Sequence, residues 1–190
     1  NFKFGFEICE DLWAVIPPSS YLCLMGANII GNLSASNEIV SKSSYRRNLI
    51  RSQSARGMCS YVYSSSGVFE SSTDLVFSGD LCISENGIML NSNERFKREN
   101  EVITSILDVD KLKNQRLKNV SFRDNVKGFS HRPVNVEFQF ESTDYGKFDR
   151  KVDRHPFVPD NEGECEIRCR EIFNIQTAGL GKRINHTNLK

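Results

Sequence analysis

The sequence predicts an α/β fold, in which short buried strands are joined by helices on one face of a sheet. Apolar runs at 4–9, 27–33 and 60–64 are too brief for a buried helix but long enough for a buried strand. Helix signals and breakers such as Pro17-Pro18 separate these runs. Further along, the Asn86-Gly87 pair is typical of the tight turn of a β-hairpin.

The same signals place the individual elements. Phe4, Phe6 and Ile8 alternate as in a strand that ends at Cys9. A stretch rich in arginine predicts a helix at 42–58 with a solvated basic face. The predicted elements are, in order, a strand at 4–9, a helix at 19–25, a strand at 27–33, a helix at 42–58, a strand at 60–64, a hairpin of 74–84 and 87–90, a strand at 102–109 and a helix at 110–119.

Beyond residue 119 the chain changes character. Residues 120–152 lose periodicity and are predicted to form a connector. Asn161 and Glu164 then have capping-box spacing and open a helix, on which Cys165 and Cys169 are predicted to lie in a core. The chain starts without methionine and stops just after this helix, so we expect an internal fragment of a longer polypeptide. The predicted parts are a first domain at 1–119, the connector at 120–152 and an incomplete second domain at 153–190.

Composition excludes several classes of function. The chain is 38% hydrophobic and 26% charged, as in a globular protein. Its net charge of +1 gives no electrostatic reason to expect nucleic acid or an anionic membrane as a partner. No apolar run is long enough to span a membrane, and the N-terminus is not a signal peptide. The six cysteines lack the paired spacing of a disulfide framework, which favours reduced thiols and a cytoplasmic location.

Cys9 is the candidate residue with the clearest chemistry. It ends an apolar strand, carboxylates flank it at Glu7 and Glu10, and a helix starts soon after. A strand-to-helix turn exposes a side chain and offers backbone N–H groups to a developing oxyanion, so a cysteine thiolate there could attack a carbonyl group. A lone cysteine is more often an inert buried residue. These residues alone leave both interpretations open.

Three separated blocks of sequence and the end of the chain resemble one family. The first block runs from Glu7 through Cys9 to Trp13 and continues to Pro17-Pro18-Ser19. The second comprises residues 32–38, 45–47, 53–56 and 61–63, the third residues 70–79, and the end of the chain contributes 155–159 and 171–180. Together they resemble the nitrilase-like glutaminase domain, and the start of the synthetase domain, of the glutamine-dependent NAD synthetase family.

This resemblance implies a two-domain glutamine amidotransferase, a carbon–nitrogen ligase. Its first domain is an αββα sandwich that hydrolyses glutamine and releases ammonia into a tunnel. Its second is an α/β domain of the ATP-pyrophosphatase type, which uses ATP and magnesium to amidate nicotinic acid adenine dinucleotide to NAD. The resemblance also implies a homo-oligomer.

The resemblance assigns roles residue by residue. Cys9 matches the family's nucleophile, which forms a glutamyl thioester. Glu10 matches a position that binds the amino group of glutamine, and its backbone N–H is placed to help hold the oxyanion. Ser36 and Lys42 match positions near the α-amino and α-carboxylate ends of the substrate. Lys42 stands where some members have arginine, and it keeps the charge without the bidentate fork.

The chain also departs from the family pattern. The family's glutamate general base and oxyanion lysine precede the cysteine by long stretches, and only eight residues precede Cys9. The phosphate-binding loop of the synthetase domain is absent as well. We therefore expect these residues to bind no cofactor and no metal by themselves, and the fragment to be inactive alone.

Two other interpretations remain. The chain could be a non-catalytic piece, either a truncated product or a part used in assembly. It could also belong to a stand-alone nitrilase or amidase, although the segment from His155 onward argues against this. A glutamate and a lysine in strand-rich sequence ahead of Cys9 would favour the synthetase, whereas a true start at Asn1 would favour the inert piece because sheet edges would stay unpaired.

Overall fold

A computed structural model describes residues 1–70, 74–130, 133–139, 150, 155, 158–159 and 161–187, which divide into two compact units at 1–143 and 144–190. The first unit has a mixed α/β architecture, as predicted. Its elements are β1 (Phe4–Ile8), a 3-10 turn (Cys9–Trp13), α1 (Pro18–Leu24), β2 (Ile29–Ser34), α2 (Lys42–Gly57), β3 (Ser60–Ser65), β4 (Leu81–Glu85), β5 (Ile88–Ser92), α3 (Val109–Lys118) and α4 (Val120–Lys127).

The five strands form one sheet in chain order, from β1 to β5. β1, β2 and β3 are parallel, and β4 and β5 add an antiparallel hairpin at one side. Glu7 pairs with Asn32 across β1 and β2, and Asn32 pairs with Tyr63 across β2 and β3. Because the first three strands run in the same direction, their carboxyl ends meet at one edge of the sheet, where Cys9 follows β1.

One face of the sheet is covered by α1 and α2. Between these helices and the strands lies a core that includes Cys23, Ile30, Ile50 and Tyr61, each no more than 1% exposed. The same face also carries polar side chains such as Glu7, which alternate in the strands with residues of the opposite face. We call this side the helix-covered face.

The opposite side of β1 and β2 is apolar and exposed. Phe6, Ile8 and Leu33 are 63%, 66% and 60% exposed, and Phe4 lies beside them. The rings of Phe4 and Phe6 lie over Gly31, where an added Cβ atom would come within 2.9 Å of the Phe4 ring. These four apolar residues together with Gly31 form what we call the open face, which is the face that a second sheet covers in a sandwich.

The hairpin prediction is confirmed, although its first strand starts later than expected, at Leu81. The turn between β4 and β5 consists of Asn86 and Gly87, which have φ angles of 47° and 86°. A two-residue turn with positive φ at both positions matches the right-handed twist of the flanking strands. Asparagine and glycine tolerate this conformation better than other residues do.

One prediction beyond the hairpin is wrong. Residues 102–108 do not form a strand. Two of their backbone groups bond to side chains: Asn91 Nδ2 donates to the Thr104 carbonyl oxygen, and Glu85 Oε2 accepts from the Asp108 N–H. The region predicted as a connector begins with helix α4. Asn119 caps this helix by accepting a hydrogen bond from the Phe122 N–H at 2.8 Å.

The second unit contains helix α5 (Glu162–Thr187). Asn161 Oδ1 accepts hydrogen bonds from the N–H groups of Gly163 and Glu164, as the capping pattern predicts. The prediction that Cys165 and Cys169 lie in a core is wrong, because Cys169 is exposed and Cys165 is only partly covered. No described helix of the protein is both long and apolar enough to cross a membrane.

Candidate active site

Cys9 opens a tight turn at the carboxyl end of β1. It is the first residue of the 3-10 turn and has a φ angle of 49°, in the left-handed region that non-glycine residues rarely adopt. Asp11 Oδ2 stabilises the turn by accepting a hydrogen bond from the Ile8 N–H at 2.7 Å. The backbone thus turns sharply at Cys9, which is partly exposed and lines a cleft.

The four residues proposed from the sequence line one cleft of about 470 Å³. Cys9 and Glu10 come from the turn after β1, and Ser36 and Lys42 come from the segment after β2. Parallel pairing of β1 with β2 brings these two segments to the same edge of the sheet. The remaining lining residues are Trp13, Ala14, Ala35 and Asn37.

The ammonium group of Lys42 is held in position. Its Nζ donates to the carbonyl oxygen of Asn37 at 2.9 Å and to Asn37 Oδ1 at 2.8 Å, and lies 5.4 Å from the centre of the Trp13 ring. An ammonium group has three N–H donors, so one remains for a ligand. Trp13 thus contributes a wall of the cleft and a cation–π contact.

The cleft is lined by groups of opposite charge. Glu10 is exposed and brings a carboxylate, Lys42 brings a cation, and Ser36 is 5% exposed. Glu10 is also the second residue of the turn, and the first N–H groups of a helical turn have no acceptor within it. The cleft therefore combines a thiol, a backbone donor for an oxyanion and charges that suit an amino acid zwitterion.

Glu7 lies beneath the turn, on the helix-covered face. It is 2% exposed; its Oε2 accepts from the Ser19 N–H at 2.7 Å, and its Oε1 accepts from the hydroxyl of Tyr61. Burial, with the nearby Glu7 charge, raises the pKa of Tyr61, so this hydroxyl keeps its proton. Both carboxylate oxygens of Glu7 are thus engaged by hydrogen bonds in the interior.

Asn32 was missed in the sequence analysis. It is 1% exposed, and its side chain contacts the backbone of Cys9 and the hydroxyl of Tyr61. A signal was present, because Asn32 is a polar residue inside an apolar run that is predicted to be buried, and a buried amide needs hydrogen-bond partners. Which partners it has depends on strand register, which the sequence pattern does not reveal.

The segment that carries Ser36 is anchored by a buried ion cluster. Arg46, predicted to lie on a solvated face, is instead fully buried; it donates to Asp80 Oδ2 at 2.6 Å and to Glu38 Oε1 at 2.5 Å. Arg95 also pairs with Glu38, at 3.0 Å. The prediction for Arg46 is wrong because its carboxylate partners lie on other segments, and these pairs tie the segment after β2 to the start of β4.

The chain is similar over most of its length to glutamine-dependent NAD(+) synthetases. It is 37% identical to that of Mycobacterium leprae over 185 residues, covering 94% of this chain and 27% of the relative. It is 27% identical to that of Aquifex aeolicus over 155 residues, covering 81% of this chain and 26% of the relative. The chain thus spans about a quarter of the length of these relatives. These similarities confirm the resemblance drawn from the sequence blocks.

A solved structure supports the fold. The carbon-nitrogen hydrolase from Helicobacter pylori G27 superposes with a TM-score of 0.53 at 17% identity, covering 65% of this chain and 46% of that chain. At this identity the likeness concerns the fold alone, and it agrees with the α/β architecture of the first unit. No family model matches the sequence.

Proposed function

We propose that this chain, which is homologous over nearly its whole length to glutamine-dependent NAD(+) synthetases, carries the nucleophile of the glutaminase site of such an enzyme. In the full-length protein, ammonia released at Cys9 serves the ATP-dependent amidation of nicotinic acid adenine dinucleotide to NAD. The observation that carries this proposal is the cleft at the end of β1, where Cys9 shares one cavity with Glu10, Ser36 and Lys42.

The charges of the cleft suit the two ends of glutamine. The carboxylate of Glu10 pairs with the α-amino group, and the remaining N–H donor of Lys42 pairs with the α-carboxylate. Ser36 adds a hydroxyl beside them. With its α-carbon held between these groups, glutamine extends its side-chain amide toward the thiol of Cys9, which places the reacting atoms close together.

The reaction passes through a thioester. Cys9 Sγ attacks the amide carbon, and the carbonyl oxygen becomes an oxyanion that accepts a hydrogen bond from the Glu10 N–H. The carbon–nitrogen bond then breaks, and the nitrogen leaves as ammonia after gaining the proton given up by the thiol. Water attacks the glutamyl thioester, releasing glutamate and restoring the thiol. In the family that the chain resembles, a glutamate acts as the general base in these proton transfers.

The other components belong to the full-length protein. ATP and magnesium supply the activation of the dinucleotide. Among the described residues there is no group of three or more His, Cys, Asp or Glu side chains that could hold a metal ion. Release of ammonia at a cysteine needs neither group. We also propose a homo-oligomer located in the cytoplasm, where free cysteines such as those of this chain stay reduced.

Substitution of the nucleophile tests this function. In the full-length protein, Cys9→Ala should lower glutamine-driven NAD synthesis by about a thousandfold or more, because removal of a nucleophile leaves only residual catalysis. NAD synthesis driven by added ammonia should continue. The matched control is Cys169→Ala, which removes an exposed cysteine far from the cleft in sequence and should change neither activity. Unchanged glutamine-driven synthesis in Cys9→Ala, or loss of both activities in a folded variant, would contradict the proposal.

A further inference from the structure

We propose that Asn32 is a positioning residue for Cys9, and that Tyr61 and Glu7 fix the orientation of its amide. This inference rests on the proposed function of Cys9 as a nucleophile. Asn32 lies on β2 beneath the turn, is 1% exposed and does not line the cleft, so it acts through the backbone of Cys9 rather than on a substrate.

Asn32 holds both polar groups of the Cys9 backbone. Its Oδ1 accepts a hydrogen bond from the Cys9 N–H at 3.1 Å, and its Nδ2 lies 3.4 Å from the Cys9 carbonyl oxygen, to which it donates. Cys9 has a φ angle of 49°, a conformation that strains a residue with a Cβ atom. A side chain that binds the residue on both sides of its α-carbon offsets that strain and fixes the direction in which the thiol leaves the backbone.

The second of these bonds also orients the oxyanion donor. The Cys9 carbonyl group and the Glu10 N–H belong to one peptide unit, which is planar. A side chain that binds the carbonyl oxygen therefore sets the direction of the N–H on the same unit. Through this single contact Asn32 aligns the donor at Glu10 relative to the thiol of Cys9, and electrostatic stabilisation of an oxyanion depends on such alignment.

The amide of Asn32 has only one orientation that satisfies its neighbours. Glu7 accepts from the Ser19 N–H and from the Tyr61 hydroxyl, so the hydroxyl proton of Tyr61 is committed to Glu7. The Tyr61 oxygen is then an acceptor, and Asn32 Nδ2 donates to it at 3.0 Å. A flipped amide would set an oxygen against Tyr61 and an NH2 group against the Cys9 N–H. The buried carboxylate thus determines the direction of every bond up to Cys9.

The test uses the full-length protein and two variants that act at different distances from Cys9. Asn32→Leu keeps the size of the side chain and removes both bonds to Cys9. Tyr61→Phe keeps Asn32 and removes only the hydroxyl that orients it. The matched control is Tyr63→Phe, which removes an equally buried hydroxyl from the same strand, bonded to Ser34 Oγ at 2.8 Å rather than to the path from Glu7 to Cys9. Because this hydroxyl also interacts with Ser36 in the cleft, the control is compared by kcat and alkylation rate and not by KM.

The measured quantities are kcat and KM for glutamine hydrolysis, the rate of Cys9 alkylation by iodoacetamide and the ammonia-driven synthesis of NAD. We expect Asn32→Leu to lower kcat about a hundredfold and to slow alkylation, with KM and ammonia-driven synthesis nearly unchanged, since small misplacements of reacting groups have effects of this size. Tyr61→Phe should lower kcat about tenfold. In Tyr63→Phe, kcat and the alkylation rate should stay within about twofold of the values for the unaltered protein.

Several results would overturn this inference. One is a folded Asn32→Leu variant whose kcat and alkylation rate match those of the unaltered protein. Another is a Tyr63→Phe variant as impaired in kcat as Tyr61→Phe. If Asn32→Leu also loses ammonia-driven synthesis, the comparison of Tyr61→Phe with Tyr63→Phe tests the inference instead. Equal losses of kcat in these two variants would mean that Asn32 contributes to folding alone. The proposed function fails separately, when Cys9→Ala retains glutamine hydrolysis.

Discussion

The two faces of the sheet differ in the side chains that they carry and in how far these are exposed. The helix-covered face contains charged and polar side chains, among them Glu7, Asn32 and Tyr61, all joined by hydrogen bonds. The open face contains only apolar side chains in the same two strands, and Phe6 and Leu33 are about 60% exposed there. The candidate cleft lies at the end of these strands, and the groups that hold Cys9, the proposed nucleophile, come from the covered face.

This difference separates two kinds of information in the sequence. The alternation of Phe4, Phe6 and Ile8 on the open face is visible in the sequence as a strand pattern. Glu7 lies between these positions, and Asn32 lies within the apolar run of β2. The role of both depends on partners brought together by the fold. Apolar alternation therefore predicts where a strand lies, whereas a buried polar residue indicates a specific interaction that the pattern does not identify.

The largest effect is expected where a charge of the buried ion cluster is removed. Asp80→Asn removes the negative charge that pairs with the fully buried guanidinium of Arg46. Breaking a buried ion pair costs about 3–5 kcal/mol in the free energy of unfolding. Chemical denaturation of the full-length protein should register a loss of this size. Asp124→Asn, at an exposed pair with Lys127, is the matched control and should cost less than about 1 kcal/mol.

A smaller but more informative effect is expected on the open face. If a second sheet covers this face in the full-length protein, as the sandwich architecture implies, Phe6→Ala should cost about 3 kcal/mol in the free energy of unfolding. Phe69→Ala, at a position 71% exposed in a loop, should have little effect and serves as the control. Equal and small effects in both variants would mean that the open face stays exposed, and the comparison of the two faces would then hold for the full-length protein.

The smallest of the three effects concerns packing beneath the helices. A Cβ atom at Gly57 would come within 2.7 Å of Cys23 Sγ and 3.1 Å of Cys59 Sγ. Gly57→Ala should therefore lower the free energy of unfolding by about 1–2 kcal/mol, since the tightly packed core must shift to admit it. Gly67→Ala provides the contrast, because nothing lies within 4 Å of its added Cβ atom. A neutral Gly57→Ala variant would show that this core is looser than the structure indicates.

Local signals explain which parts of the fold could be predicted. Asn86-Gly87 specifies its turn through backbone conformations that few other residues adopt, so the hairpin follows from two residues. Residues 102–108 have the composition of a strand, but a strand exists only through pairing with a neighbour, and the sequence pattern contains no information about that neighbour. Helix α4 could have been found from its cap, Asn119, which the loss of periodicity around it obscured.

The candidate site was predicted only in part from the sequence. Cys9, Glu10, Ser36 and Lys42 were identified through the family resemblance, and the structure brings them around one cleft. Asn32 was not identified, since its contact with Cys9 requires the parallel register of β1 and β2. Residues that contact a ligand leave motifs in a sequence, whereas residues that position them act through contacts between distant segments.

The most direct test of the central claim is to trap the intermediate on the nucleophile. Full-length protein mixed with isotopically labelled glutamine, quenched in acid and digested, should give one peptide with a labelled glutamyl group attached through a thioester to Cys9. The labelled peptide should be absent in Cys9→Ala and unaffected in Cys169→Ala. A glutamyl group on another residue, or turnover of glutamine without any adduct on Cys9 under conditions that preserve thioesters, would contradict the account.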